Sequence, residues 1–464
     1  MNIYFPTNKI RAAVLTALSA VLVNGAASAA ELTGFALMPA NTFAEGPTSG
    51  QFAGIGAGGN ALPLLNKQPV QGFSAVLHGP RDKTFYVMPD NGFGAKTNSA
   101  DTLLRIYAVY PDFKVWDGYR VTGSGTIHPV HFGSGRRLAN WDRSSFINLR
   151  DPNGKIGFDI VASREFYPNG SGTIPVDPSI RAGRLLTGAD FDIESVRLDR
   201  KGHFWFGEEF GPFLVETDAS GKVLRSEVNT PNIIPLGSTA TGADVRSPQN
   251  PFLSADVPNL GASRGFEGMA LNPAGRKLYT LLEGTVTGDN AINGTVGKNL
   301  RINEFDIKAK SYTNNHWLYQ LDASGTNIGD MTAINDHQFL VIERNGATAT
   351  SGTPFKKIYV ADIQGVANGG FVRKTELVDL MNISDPHDLN GDERTLFTFP
   401  FVTIESVLIL DPKTLMVIND NNYPGTGGRD TSSDNTEFLK IQLDSALDVD
   451  PKVLNRDDED GRDD

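Results

Sequence analysis

Carboxylate residues recur along this chain at a spacing that one kind of local structure would gather into a cluster. The stretch from Asp192 to Gly211 opens on Glu194 and closes on Glu208 and Glu209. Short apolar runs on either side of Lys201-Gly202 predict two strands joined by a tight turn. Antiparallel strands bring their outer ends together, so Glu194 and Glu208 are expected at one sheet edge. The same grammar returns as Glu267 with Glu283, Asp330 with Glu343 and Glu405 with Asp420, and more weakly as Ser74 with Asp90. From Ser74–Asp90 onward in chain order, the spacings within pairs are 16, 14, 16, 13 and 15 residues, and Ile404-Glu-Ser-Val407 repeats Ile193-Glu-Ser-Val196 letter for letter. Converging carboxylates repel, so a ring of them calls for a cation or for raised pKa values. Hard oxygen donors in a chain with no cysteine favour Ca²⁺, with Mg²⁺ as the second choice, over zinc. The candidate ligands are Asp90, Glu194, Glu208, Glu267, Glu283, Glu343, Glu405 and Asp420. Glu209 and Asp330 stand in the same ring, and Asn91, Asn345 and Asn421 could add neutral oxygens. The plain alternative is a set of acids that cap turns or face water.

Other side chains could complete a reactive site. Arg264 and Arg344 flank marked acids, and arginine suits bidentate contact with an anionic group; a structural ion pair is the competing role for each, as it is for Arg197. Glu267 and Glu194 are the carboxylates expected to serve the chemistry. His387, in Ser-Asp-Pro-His-Asp, is the best histidine for an acid or base role, against a surface turn as the alternative. Ser195 and Ser406 follow marked glutamates without a Gly-x-Ser-x-Gly elbow. His203 and His337 fall in predicted turns and receive no role.

The elements that must position these residues are short strands. A third strand recurs at 102–109, 212–218, 299–306, 355–362 and 437–444. Alternating strands separated by Gly, Pro, Asn and Asp argue for all-β structure. The anchors Ser74, Glu194, Glu267, Asp330 and Glu405 lie 120, 73, 63 and 75 residues apart. The last three gaps fit one four-stranded unit each and the first fits two. The expectation is therefore a six-bladed β-propeller with five readable units and one hidden between about 115 and 190, closed by a strand from near a chain end. Two packed sandwiches are the alternative. Residues 31–450 read as a single domain with a long loop at about 221–265, and 451–464 as an acidic disordered tail. Residues 1–30 carry the marks of a removed signal peptide: Lys9 and Arg11, the apolar run 12–23, and Ala27-Ser-Ala29. No later apolar run is long enough to span a membrane, so an exported protein, periplasmic or secreted, is expected. A net charge of −12 argues against nucleic acid as a partner, since no basic surplus exists to displace phosphate counterions.

Several of these motifs together resemble an exported bacterial family of phytase-like domain proteins, described as "esterase-like activity of phytase". They are Met88-Pro-Asp-Asn-Gly92, Asp192-Ile-Glu-Ser-Val196, Gly207-Glu-Glu-Phe-Gly-Pro212, Gly265-Phe-Glu-Gly-Met269, Ile342-Glu-Arg-Asn345 and Asn419-Asp-Asn-Asn422. The resemblance spans roughly residues 50–445. It implies a β-propeller hydrolase of small ester substrates, phosphoesters first and carboxylic esters or lactones as the alternative, assisted by calcium. The Asp-Asp-Pro-Ala-type motif of true β-propeller phytases is absent, which puts inositol hexakisphosphate in doubt and keeps a lactone or other non-phosphate ester open. A non-catalytic propeller that binds a ligand or partner, with structural calcium, is the competing class.

Overall fold

The computed structural model describes residues 1, 30–54, 62–168, 172–254, 257–425, 427–429 and 433–454. The expected signal segment, apart from its two end residues, and the tail from 455 onward lie outside the described residues. Almost all regular structure is β. The hairpin turns obey local chemistry: between Ile193–Leu198 and Phe204–Glu208, Asp199 accepts the backbone N–H of Lys201 and His203. Gly202 takes the left-handed conformation (φ 74°) that the tight turn requires.

Each readable unit forms a sheet whose first strand lies innermost, the first and fifth being joined edge to edge into one eleven-stranded sheet. The inner strands are Phe73–His78, Ile193–Leu198, Gly268–Leu271, Asn327–Ala333 and Ile404–Asp411. Each contacts the next in chain order, and the last contacts the first, so the five close a circuit. Sheets two, three and four each add three further strands in sequence order. Five main hydrophobic clusters fill the five gaps between neighbouring sheets. The gap between the second and third sheets, for example, holds Trp205, Leu214, Met269 and Leu278, and that between the fifth and first holds Phe73, Val87, Met416 and Phe438. Sheets buried on both faces explain why inner strands such as Ile193–Leu198 are buried at nearly every position.

The propeller is therefore present, while the stretch expected to hide a sixth unit forms no separate blade among the described residues. Thr126–Pro129 and Phe146–Asn148 pair with successive parts of one outer edge, that of Arg105–Asp112. The strands of this region are spent on the rim of the first sheet, apart from a two-stranded ribbon, Val115–Trp116 with Val121–Thr122. The 221–265 stretch is mostly irregular. It holds Val228–Asn229, the outer strand of the second sheet, and it braces the loop after Glu209. Ser247 and Asn250 donate to the carbonyls of Phe210 and Gly211 at 2.5 and 2.8 Å.

The ring is closed by the strand Glu31–Met38, which is the outer strand of the fifth sheet through antiparallel pairing with Thr436–Gln442. It also reaches the first sheet: Phe35 exchanges two backbone bonds with Lys114, and Leu37 donates to Gly125. Phe35 is buried against Phe397. Phe35→Ala is expected to cost about 3–5 kcal/mol of unfolding free energy, read from denaturant titration. A loss below about 1 kcal/mol would mean that this strand does not hold the ring.

Candidate functional site

The inner strands share one irregularity that aims side chains at the channel mouth. Register shifts fall at Phe73/Ala75, Ile193/Ser195, Ile328/Asp330 and Ile404/Ser406. The extra residue at each is Ser74, Glu194, Gly329 or Glu405. In the third sheet Glu267 directly precedes the first paired residue, Gly268. A bulge of this kind re-aims a side chain that regular alternation would send elsewhere. The first tier of the mouth is therefore Ser74, Glu194, Glu267, Gly329 and Glu405. The ends of the second strands supply a further tier: Asp90, Glu209, Glu283, Arg344 and Asp420. Asp192, hydrogen-bonded through its carbonyl to the N–H of Glu209, adds one more carboxylate.

This register separates the expected acids into two groups. Asp90, Glu194, Glu267, Glu283, Glu405 and Asp420 converge, together with Glu209 and Asp192. Glu208, Glu343 and Asp330 do not, because side chains alternate with a period of two and each stands one residue out of step. Glu208 turns into its own loop and accepts the N–H groups of Phe210, Gly211 and Phe213; burial pushes its carboxyl up to about 8. Glu343 accepts from Tyr319, Lys374 and the N–H of Asp322. Asp330 binds Arg197 at 3.0 Å across the channel, since the second and fourth sheets are not neighbours. Ser195 and Ser406, at the matching position, donate to Phe266 and Phe73 carbonyls of the next sheet, stitching adjacent inner strands. His387 lies away from the acids, on the loop beside the outer strand of the fifth sheet, stacked on Trp116 with ring centroids 4.3 Å apart.

Arg344 is the one fully interior cation of the two tiers. A single nitrogen, Nη2, donates to Glu267 at 2.8 Å, Glu405 at 3.0 Å and Glu283 at 3.2 Å, while Nη1 donates to the Val402 carbonyl. Burial works against its charge, yet Glu405, Glu283 and Glu267 hold its pKa above the ordinary value. Arg344 is thus committed to carboxylates. Arg264 pairs with Glu283 at 2.6 Å and keeps 43% of its side chain exposed at the mouth. Asn327 completes Glu283 at 2.6 Å.

On the other side of the mouth direct compensation is missing. Asp90, Asp192 and Glu194 bring carboxylate oxygens within 4.8 Å of one another, as do Glu194, Glu267 and Glu405. The second group shares Arg344, whereas the basic charge acting on the first is that of Lys96, which reaches Asp192 at a distance. Asn91 fixes Asp192 with a 2.7 Å bond, and its own oxygen is held by Ser99 and two backbone N–H groups. Burial first, then neighbouring carboxylates, pushes Asp90, Glu194, Glu209 and Glu267 well up. Burial also pushes Asp192 and Asp420 to about 6 and Glu405 to about 8. Two buried oxygens, Oε2 of Glu267 and Oε1 of Glu209, have no partner.

A cavity of about 250 Å³ opens beside this uncompensated side, between loops 90–94 and 420–425, with Asp90 and Asp420 in its wall. Gly72 (φ 69°) makes the approach possible, because a Cβ there would meet Asp420 Oδ1 at 2.5 Å.

The model of the phytase-like family, described as esterase-like activity of phytase, matches residues 68–423. The chain belongs to that family. An uncharacterized secreted protein of Arthroderma benhamiae is 27% identical over 172 residues, which is 34% of each chain; the match thus spans about a third of that relative's length. Solved structures with a similar course of the chain include a luciferin-regenerating enzyme (11% identity, TM-score 0.34, 82% of this chain and 94% of that one). An aldose sugar dehydrogenase of Streptomyces coelicolor gives 8% identity, TM-score 0.31, and covers 90% and 100% of the two chains. A Bacillus subtilis arabinanase gives 9%, 0.33, 81% and 95%. Likeness at these scores bears on neither activity nor substrate.

The raised carboxyl pKa values have a consequence of definite sign. Asp192, Asp420 and Glu405 bind protons more tightly folded than in the unfolded chain, where carboxyls titrate near 4. Their stabilising contribution is complete below about pH 4 and is lost as pH rises through about 6 and 8. In chelator, Tm is therefore expected to fall steadily between pH 5 and pH 8.5; a rising Tm over that window would contradict the buried cluster.

Proposed function

We propose that this phytase-like protein is an exported, cation-assisted hydrolase of ester bonds working at the acidic mouth of the propeller. The observation that carries the reading is the Asp90–Asp192–Glu194 group, two buried carboxylates and one half-buried, beside an open cavity and with no directly paired Lys, Arg or His among the described residues. These three residues would hold a divalent cation, Ca²⁺ before Mg²⁺, because all donors are hard oxygens. Such an ion supplies Lewis acidity toward the reacting ester oxygen. Asn91 keeps Asp192 oriented for that task, as outer partners of ligands do. Glu267, with one free oxygen and a raised pKa, suits proton exchange with the water and the leaving oxygen. Hydrolysis adds water across the ester bond: hydroxyl goes to the acyl or phosphoryl centre, and the proton goes to the departing oxygen. Arg264, with its exposed guanidinium, is the base left to meet an anionic group. Export rests on the signal-like N-terminus and on the secreted relative. Among the described residues no helix is long and apolar enough to cross a membrane.

The test is initial-rate hydrolysis by the mature chain with Ca²⁺ and with chelator, using a phosphomonoester, inositol hexakisphosphate, a short-chain carboxylic ester and a lactone. Chelation and Glu194→Gln are each expected to lower turnover by about two orders of magnitude or more. In chelator the Tm of Glu194→Gln should equal or exceed that of the parent, because a neutral amide replaces a buried carboxyl that neighbouring carboxylates disfavour as an anion. Turnover indifferent to both changes would remove the cation from the mechanism. Absence of any turnover, with a Tm that still rises in Ca²⁺, would leave a binding propeller with a structural ion.

A further inference from the structure

The cavity beside the cluster has a recognition chemistry of its own. Its wall holds Asp90 and Asp420 together with Gln71, Phe93 and Tyr423, and no Lys, Arg or His among the described residues. Two donors in that wall have no protein partner: Nε2 of Gln71 and the hydroxyl of Tyr423. Both residues are more than nine-tenths buried, at 3% and 6% exposure. Gln71 is held in orientation by Asn421, which donates to its Oε1 at 3.1 Å. The Tyr423 ring is fixed between Phe43 and Phe93 at 6.2 and 6.1 Å, and burial pushes its hydroxyl up to about 12, so it remains a donor. Unmade hydrogen bonds of buried groups are costly, and two of them in one wall point to an acceptor-bearing ligand. The two carboxylates offer the complementary function. Each commits Oδ1 to an N–H of its own loop, Gly92 at 2.7 Å and Asn422 at 2.8 Å, and a carboxylate has further acceptor capacity to give.

We infer that this cavity seats the uncharged, hydroxyl-bearing part of a small ester. The preferred substrates are then hydroxylated lactones or short acyl esters of polyols, and not polyphosphorylated compounds. The inference rests on the ester-hydrolase reading of the neighbouring carboxylates. Gln71 and Tyr423 donate to carbonyl or ring oxygens, Asp90 and Asp420 accept from hydroxyls, and Phe93 and Tyr423 supply apolar surface for ring carbons. A polyphosphate would instead bring many negative charges against two carboxylates with no base in the wall. The volume, about 250 Å³, lies below the ~300–1,000 Å³ of drug-sized ligand sites and suits a ligand of one ring. In the reaction, water adds across the acyl C–O bond; the acyl carbon takes the hydroxyl and the polyol oxygen takes the proton.

The experiment measures kcat and KM of the full mature chain in Ca²⁺ for a hydroxylated γ-lactone, a sugar acetate, a phosphomonoester and inositol hexakisphosphate, with the parent and with Tyr423→Phe. One of the uncharged substrates is expected to exceed both phosphates in kcat/KM by about tenfold or more. Tyr423→Phe should raise KM for it about five- to tenfold with kcat nearly constant. Its Tm should be unchanged or higher, since the variant removes only an unsatisfied hydroxyl; a merely structural tyrosine would move Tm and leave KM alone. Faster turnover of either phosphate overturns the inference and leaves the hydrolase reading standing. An unmoved KM in Tyr423→Phe overturns the assignment of the cavity. No turnover of any of the four substrates sinks the hydrolase reading, and the inference falls with it.

Discussion

Eight carboxylates brought out of water around one guanidinium are the constraint on which this structure depends. Removing an ion from water costs several kcal/mol even after relaxation, and like charges at these separations add to the cost. The protein meets it in three ways: Arg344 joins Glu267, Glu283 and Glu405 through one nitrogen, burial raises the carboxyl pKa values so that protons are retained, and backbone N–H groups serve Asp90 and Asp420. What is left uncompensated is local. It lies at Asp90, Asp192 and Glu194, and that locality is what marks a site for an added cation.

The fold serves this cluster by repetition with two exceptions. Five inner strands, packed through five apolar gaps, present the same two positions at the mouth, one on a bulge and one at a strand end. Strict repetition would give ten acids. The fourth sheet instead carries Gly329 and Arg344, and the first carries Ser74, which donates to Glu405 at 3.2 Å. The Gly329 exception is steric, since a Cβ there would meet the Ile404 carbonyl oxygen at 1.9 Å. These departures divide the mouth into a side neutralised from within and a side that is not. Below it, Arg197 and Asp330 tie opposite walls of the channel.

The repeat was legible in the sequence because paired acids at near-constant spacing report a hairpin whatever its turn, and because Ile-Glu-Ser-Val recurs intact. The third strands were legible for the same reason. The register was not. A bulge adds one residue without any obligatory side chain, so Asp330, Glu208 and Glu343 look equivalent to Ser74, Glu209 and Arg344 until the pairing is known. Gly329 beside Asp330, against Glu267 beside Gly268, holds the needed signal, but only an alignment of bulges reads it. The long first gap suggested a hidden blade because gap length alone does not distinguish a sheet from rim strands added to an existing one. Gln71 and Tyr423 carry no motif at all. Their meaning comes from missing partners, which only three dimensions display.

The most direct measurement is calorimetric titration of Ca²⁺ into chelator-stripped protein at pH 7.5, repeated on Asp192→Asn and on Asp330→Asn. The account predicts saturable binding that Asp192→Asn abolishes or weakens at least about tenfold, through loss of a ligand charge. Asp330→Asn should keep it, because Asp330 faces Arg197 and not the mouth. Binding absent from the parent at millimolar Ca²⁺, or lost in Asp330→Asn and kept in Asp192→Asn, would contradict the placement of the cation on which the proposed chemistry stands.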